Sequence, residues 1–285
     1  MPSIVFAVNK LDAVADAALA FAHISCALET FATAADIAVT AIVPVSALKG
    51  WNVVDAAVQP GWCGYTGPTL LALLETLPAT PAESDLPLAF PVQWVEKFSS
   101  SADTSMGRRV FWGRVATGGV QPSQAVKVMP GGQTARVAQV LNHVRQPGPV
   151  LAGHGAGIVL DRQLDISRGD WIASPGSLQP TQRFNATLAW LDTEPATVGR
   201  KYWVRHGNRW VQARIASIDH RLDIHTLAPT DAHELAVNEI GEVTVEAQQP
   251  LPVEAYLDNR VGGAMIIVDP TSNRTSGALL VKAPA

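Results

Sequence analysis

Two apolar runs, each ending in a short polar loop, constrain this chain more than any other feature. Ile4-Val5-Phe6-Ala7-Val8 leads into Asn9-Lys10-Leu11-Asp12, and Ala41-Ile42-Val43-Pro44-Val45 leads into Ser46-Ala47-Leu48-Lys49-Gly50. Runs of this length and composition are buried strands, of the kind that line up in parallel under covering helices. The segment between them, Ala13 to Ala35, is Ala-rich with good helix propensity. Strand, helix, strand is therefore expected, with both polar loops at the same end of the sheet.

Further along, Gly67-Pro68-Thr69-Leu70-Leu71-Ala72-Leu73-Leu74-Glu75 reads as a proline-initiated helix. The segment from Leu77 to Pro87 is rich in proline and reads as a stiff linker, residues 79–87, closing a first block of residues 1–78. Beyond it no long helical pattern recurs. Residues 88–178 show short strands at 89–95, 109–116, 125–129 and 135–144, with Met129-Pro130-Gly131-Gly132-Gln133 as a hairpin turn. Residues 179–285 repeat the style with longer strands, such as 210–218 and 242–248. Two small β-barrels are expected after the α/β block.

Composition agrees. Of 285 residues 47% are hydrophobic and 16% charged, and the net charge of -4 gives no electrostatic case for nucleic acid. Cys26 and Cys63 stand far apart without metal-ligand spacing, so free thiols in a reducing, cytoplasmic setting are expected. The sequence shows no uninterrupted apolar stretch of membrane length and no basic segment before an apolar signal core.

The two polar loops resemble the guanine-reading loops of a GTPase. Guanine presents two adjacent donors, N1–H and the 2-amino group, and the Asp12 carboxylate can accept both. Adenine would leave that carboxylate unpaired, which is costly in a buried site. By the resemblance, Asn9 supports the base and the neighbouring loops, and the stem of Lys10 lies along the base face. Ser46, Ala47 and Leu48 form the second loop, whose Ala47 N–H meets guanine O6. The phosphate-binding parts of such a domain are not found in these residues. No Gly-x-x-x-x-Gly-Lys-Ser/Thr occurs, none of the six lysines follows a glycine, and no Asp-x-x-Gly segment is present. Phosphoryl transfer needs a backbone cradle, a lysine and a metal, so no GTP hydrolysis, at best weak GTP binding and no Mg²⁺ ligands are expected.

The order of α/β block, barrel, barrel is similar to that of the elongation factor Tu-like GTPases. Later segments resemble the GTPase subunit of bacterial sulfate adenylyltransferase within that superfamily. They include Asp165-Ile166-Ser167-Arg168-Gly169-Asp170, Ala189-Trp190-Leu191-Asp192, Leu235-Ala236-Val237-Asn238-Glu239-Ile240-Gly241 and Tyr256-Leu257-Asp258-Asn259-Arg260. The fold so implied is the C-terminal remnant of a P-loop GTPase α/β domain followed by two barrels, as a multidomain α/β plus all-β chain. The resemblance implies a part in making adenylylsulfate and pyrophosphate from ATP and sulfate. GTP hydrolysis drives that reaction, and a separate catalytic subunit handles the sulfate. No residue here would then be catalytic. The other reading is a non-enzymatic interaction module whose barrels dock on a partner.

Two departures stand out: Trp51 where the family usually has Asp, and Ser105-Met106-Gly107-Arg108-Arg109-Val110-Phe111-Trp112 in place of an Arg-Gly-aromatic element. Several motifs are read blandly. Arg168-Gly169-Asp170 is a turn into a strand, and His220, His225 and His233 lack a ligand framework. Gly153-His154-Gly155-Ala156-Gly157 marks close packing at a barrel corner. The eight tryptophans serve core and interface packing. The strand Ile4–Val8 is expected to pair on one side only, leaving an edge that recruits another chain.

Overall fold

The computed structural model describes residues 3–57, 61–77, 83–97 and 109–284. Residues 78–82 of the linker region and 105–108 of the second departure lie outside these. The chain divides into two compact units, Met1–Pro81 and Ala82–Ala285.

In the first unit β1 (Ile4–Val8) and β2 (Val39–Pro44) pair in parallel, with Val5 opposite Ala41 and Val8 opposite Pro44. They form a two-stranded sheet, so β1 has a partner along one edge among the described residues. Helix α1 (Ala17–Ala34) begins later than its composition suggests. Leu11–Ala13 closes a 3-10 turn, Val14 is extended, and the Asp16 carboxylate accepts the Leu19 N–H at 2.9 Å as an N-cap. Helix α2 (Leu70–Thr76) likewise starts after Pro68, because the Thr69 hydroxyl caps it by accepting from the Ala72 N–H.

The core of this unit is small: Val8, Leu11, Trp62 and Cys63, packed by Phe21, Leu28 and Trp51. Trp51, the residue standing in place of the family's Asp, meets Trp62 edge-on at 5.1 Å and carries the Lys49 ammonium 4.4 Å above its ring. The departure thus adds apolar contact where a carboxylate would need solvent.

α1 is 18 residues long and, by length and composition alone, apolar enough to cross a membrane; Ala32 is its one buried residue. His23, Glu29, Thr30 and Thr33 interrupt the apolar run, as expected from the sequence. Leu19, Ile24 and Phe31 are 54%, 39% and 37% exposed, whereas Ala32 is buried.

The second unit holds both barrels. The first closes in the order β8-β3-β4-β7-β6-β5 from β3 (Ala89–Lys97), β4 (Arg109–Arg114), β5 (Ala125–Met129), β6 (Thr134–Asn142), β7 (Gly155–Leu160) and β8 (Trp171–Ala173). β5 and β6 are joined by the hairpin turn at Pro130–Gln133. Inward side chains such as Phe90, Val126, Ile158 and Ile172 fill it. Close packing in the glycine-rich segment is found at Gly157, which lies within β7 rather than at a corner and where a Cβ would come within 2.8 Å of Val110 and 2.9 Å of Trp112.

The second barrel uses β9 (Gln179–Trp190), β10 (Lys201–His206), β11 (Arg209–Leu222), β12 (Ile240–Val253), β13 (Ala264–Val268) and β14 (Thr275–Pro284). Their order is β10-β13-β14-β9-β12-β11, and pairing of β10 with β11 closes it. Phe184, Leu188, Trp190, Ile215 and Leu279 lie in its core at 1% exposure or less. Burying a side chain of this class contributes roughly 1.5–3 kcal/mol.

A clasp joins the barrels. The Asp170 carboxylate accepts the Ser167 N–H and pairs with Arg209 at 2.9 Å, both side chains being largely buried. Trp171 stacks on His206 at 4.7 Å and 17°. Gly169 sits at φ +95° with its α-carbon against the β10–β11 turn, where a Cβ would lie 3.0 Å from the Arg209 Cα. The tripeptide Arg168-Gly169-Asp170 therefore does serve as a turn into a strand, and it also docks one barrel on the other.

Candidate functional site

Parallel pairing brings the two loops together at the C-terminal end of β1 and β2. The Val45 N–H donates to the Val8 carbonyl at 2.8 Å, carrying the pairing one residue past the strand end. Asn9 and Ala47 thereby face each other. Asn9 Oδ1 accepts the Lys10 N–H at 2.8 Å and the Ala47 N–H at 3.1 Å. One amide side chain thus ties both loops. Lys10 turns the backbone through the left-handed region at φ 68° and stays exposed. Asp12 follows within the 3-10 turn and is half-buried.

In the second loop Ser46 is fully buried. Its N–H donates to the Trp51 carbonyl at 3.0 Å, and its Oγ accepts the Lys49 N–H at 3.2 Å, closing a tight turn over Ala47 and Leu48. The Leu48 side chain is 89% exposed, so the backbone is what this residue offers. The Ala47 N–H, which the sequence assigned to guanine O6, here donates to Asn9. Strand register explains this, since Asn9 and Ala47 occupy adjacent strand ends with an oxygen acceptor between them.

Asn52 is a residue that the sequence reading passed over. It is 6% exposed, its Nδ2 donates to the Pro44 carbonyl at 3.0 Å, and its Oδ1 accepts the Ala57 N–H at 3.0 Å. It therefore pins the second loop to the end of β2. A lone Asn after an apolar strand and a Gly-Trp pair is a thin signal, since such a residue is ordinarily an exposed turn position. Cys63, buried beneath Trp51 and Trp62, has its thiol pushed up by burial and serves packing.

The arrangement presents a carboxylate, an amide and loop N–H groups at the end of a parallel sheet. Among the described residues no group of three or more His, Cys, Asp or Glu could hold a metal ion.

The fold defines the class: an α/β remnant followed by two closed barrels is the architecture of the translation-factor-like GTPases. Crystal structures of sup35 complexed with GDP and with GMPPNP superpose with TM-scores of 0.64 and 0.62 at 21% and 20% identity, over 100% of this chain and 70% of theirs. The family described as GTP-eEF1A C-terminal domain-like matches residues 183–282, the second barrel. Sequence relatives narrow the branch. Sulfate adenylyltransferase subunit 1 of Laribacter hongkongensis is 34% identical over 98% of this chain and 57% of its own length. The bifunctional enzyme NodQ of Azospirillum brasilense is 34% identical over 99% and 44%, and the bifunctional enzyme CysN/CysC of Xylella fastidiosa 35% over 96% and 43%. Over nearly its whole length the chain is similar to sulfate adenylyltransferase subunit 1 proteins, and it spans about half the length of the relatives it matches.

Proposed function

We propose that this chain supplies the guanine-reading and barrel portions of a sulfate adenylyltransferase GTPase subunit, working beside a separate catalytic subunit that joins sulfate to ATP. The observation that carries the reading is the Asn9 bridge between the two loops, 3.1 Å from the Ala47 N–H. It holds Asp12 and the Ala47-Leu48 backbone at one end of the sheet, where a planar base with adjacent donors and a carbonyl fits. In this reading Asp12 accepts guanine N1–H and N2–H, the Lys10 stem lies along the base face, and the Ala47 N–H is shared between Asn9 and guanine O6. The segments that cradle phosphates and Mg²⁺ in such GTPases are not among these 285 residues, and in this reading the chain does not hydrolyse GTP by itself.

Isothermal titration with GTP and Mg²⁺ tests this. Phosphate and metal contacts supply much of a nucleotide's affinity, so binding is expected weaker than micromolar, a scale on which about 8 kcal/mol corresponds to micromolar. Whatever binding is seen should favour guanine over adenine nucleotides, and Asp12→Asn should erase that preference. A submicromolar constant would show that the argument from the phosphate segments is wrong, and equal affinity for adenine would remove the base reading. The non-enzymatic reading, barrels docking on a partner with an idle nucleotide site, shares the absence of turnover. Co-purification with the catalytic subunit, followed by assay of adenylylsulfate formation with and without this chain, separates the two.

A further inference from the structure

The outer face of the second barrel is unlike an ordinary solvated sheet. Alternation places Tyr202 and Val204 of β10 inside and Lys201, Trp203 and Arg205 outside. On β11, Val211 and Ala213 point in, while Trp210, Gln212 and Arg214 point out. Register sets these outward residues side by side: Lys201 opposite Arg214, Trp203 opposite Gln212, and Arg205 opposite Trp210. The row continues across the barrel, because Arg214 is opposite Glu246 of β12 and Glu246 is opposite Arg183 of β9. Next to Arg205 on the other side stands Ile266 of β13.

Two features of this face call for a partner. Trp210 is 48% exposed, with the Arg205 guanidinium 5.6 Å from its ring centre, and Trp203 and Ile266 are only half-buried beside it. Exposed tryptophan and arginine together are the residue types that most often anchor protein interfaces. Charge is also segregated. Arg183, Lys201, Arg205 and Arg214 stand on this face with two carboxylates, Glu246 bound to Arg214 and Glu242 bound to Lys282, so Arg183, Lys201 and Arg205 are left without an ion-pair partner among the described residues, in a chain whose net charge is -4. Beside the tryptophans lies a trough of about 420 Å³ lined by Lys201, Arg214, Glu246 and the amides of Gln182, Gln212 and Gln248. Amides of this kind both donate to and accept from a polypeptide backbone.

We infer that this face docks a protein surface that presents carboxylates around an apolar contact, and that the occupant is the catalytic subunit. The identity of the occupant rests on the function proposed above; the chemistry of the contact rests on Trp210, Trp203 and the uncompensated cations. Electrostatic attraction would orient the encounter, and the tryptophans would hold it.

The test is biolayer interferometry of the full chain against the purified catalytic subunit of sulfate adenylyltransferase from the same genome. Trp210→Ala and Lys201→Glu are each expected to weaken binding by roughly tenfold or more, the range of interface anchors. Wild-type affinity should fall with added salt, and Lys201→Glu should flatten that dependence. Trp94→Ala, which removes the 64% exposed tryptophan of the first barrel, should bind as wild type. Both test residues are exposed, so thermal melts should match wild type and exclude misfolding. Wild-type binding that neither variant weakens would overturn this surface while leaving the proposed function standing. Failure of the wild-type chain to bind at all would overturn the surface together with the partner assigned in the proposed function.

Discussion

His206 shows how much one buried side chain can set. It is fully enclosed between Trp171 and the Gly262 carbonyl, to which its Nε2 lies 3.1 Å, and burial pulls its pKa down to about 4. The unfolded chain takes a proton near pH 6.5, whereas the folded chain resists it. Stability from the neutral imidazole is therefore complete above 6.5 and is lost as pH falls from 6.5 towards 4, at about 1.4 kcal/mol per unit. Urea melts of the second unit should show this slope between pH 6.5 and 4.5, and His206→Gln should flatten it. A wild-type slope that persists unchanged in the variant would place the titration elsewhere. Asp192, Asp223 and Asp269, held low mainly by hydrogen bonds from Ser276, Thr226 and Ser272 respectively, lose their contribution in a more acidic window.

At the scale of elements, the exposed surface of the first unit has a physical consequence. β1 offers N–H and C=O groups along one edge with no described partner, on a β-branched apolar strand. α1 adds Leu19, Ile24 and Phe31 as exposed apolar surface. Such an edge beside such a patch recruits another chain. Light scattering of the full chain is expected to report self-association that grows with concentration, and a fragment spanning 82–285 should be monomeric. A monodisperse full-length monomer at high concentration would mean that the edge is satisfied internally.

At the scale of the whole molecule, the second unit is expected to fold without the first and to melt as one body. The Gly118 N–H donates to the Glu83 carbonyl, and Arg260 lies 3.7 Å from the Glu83 carboxylate, so the fragment should include Glu83 and begin at Ala82. Calorimetry should give one transition with equal calorimetric and van't Hoff enthalpies. Asp170→Ala leaves Arg209 largely buried without its carboxylate, a loss of about 3 kcal/mol by analogy with broken buried pairs. If the clasp couples the barrels, that variant should split the transition in two; a single unshifted peak would show that coupling lies elsewhere.

The sequence by itself determined most of the strands and the two polar loops. Alternation and apolar runs are local signals, and Asn9, Lys10, Asp12 and Ser46-Ala47-Leu48 follow directly from strand ends. Helix starts were less legible, because Asp16 and Thr69 override composition by capping later than the apolar run suggests. Only the tertiary structure decided that Ala47 donates to Asn9, that Asn52 pins the loop, and that Asp170 and Trp171 find Arg209 and His206. Each of these joins residues that lie apart in sequence, and pairing across such distances depends on strand register and barrel closure, which no local pattern carries. The same reason separates the tryptophans: Trp171 and Trp190 are buried while Trp94 and Trp210 are exposed, a distinction set by which face of a closed barrel each one occupies.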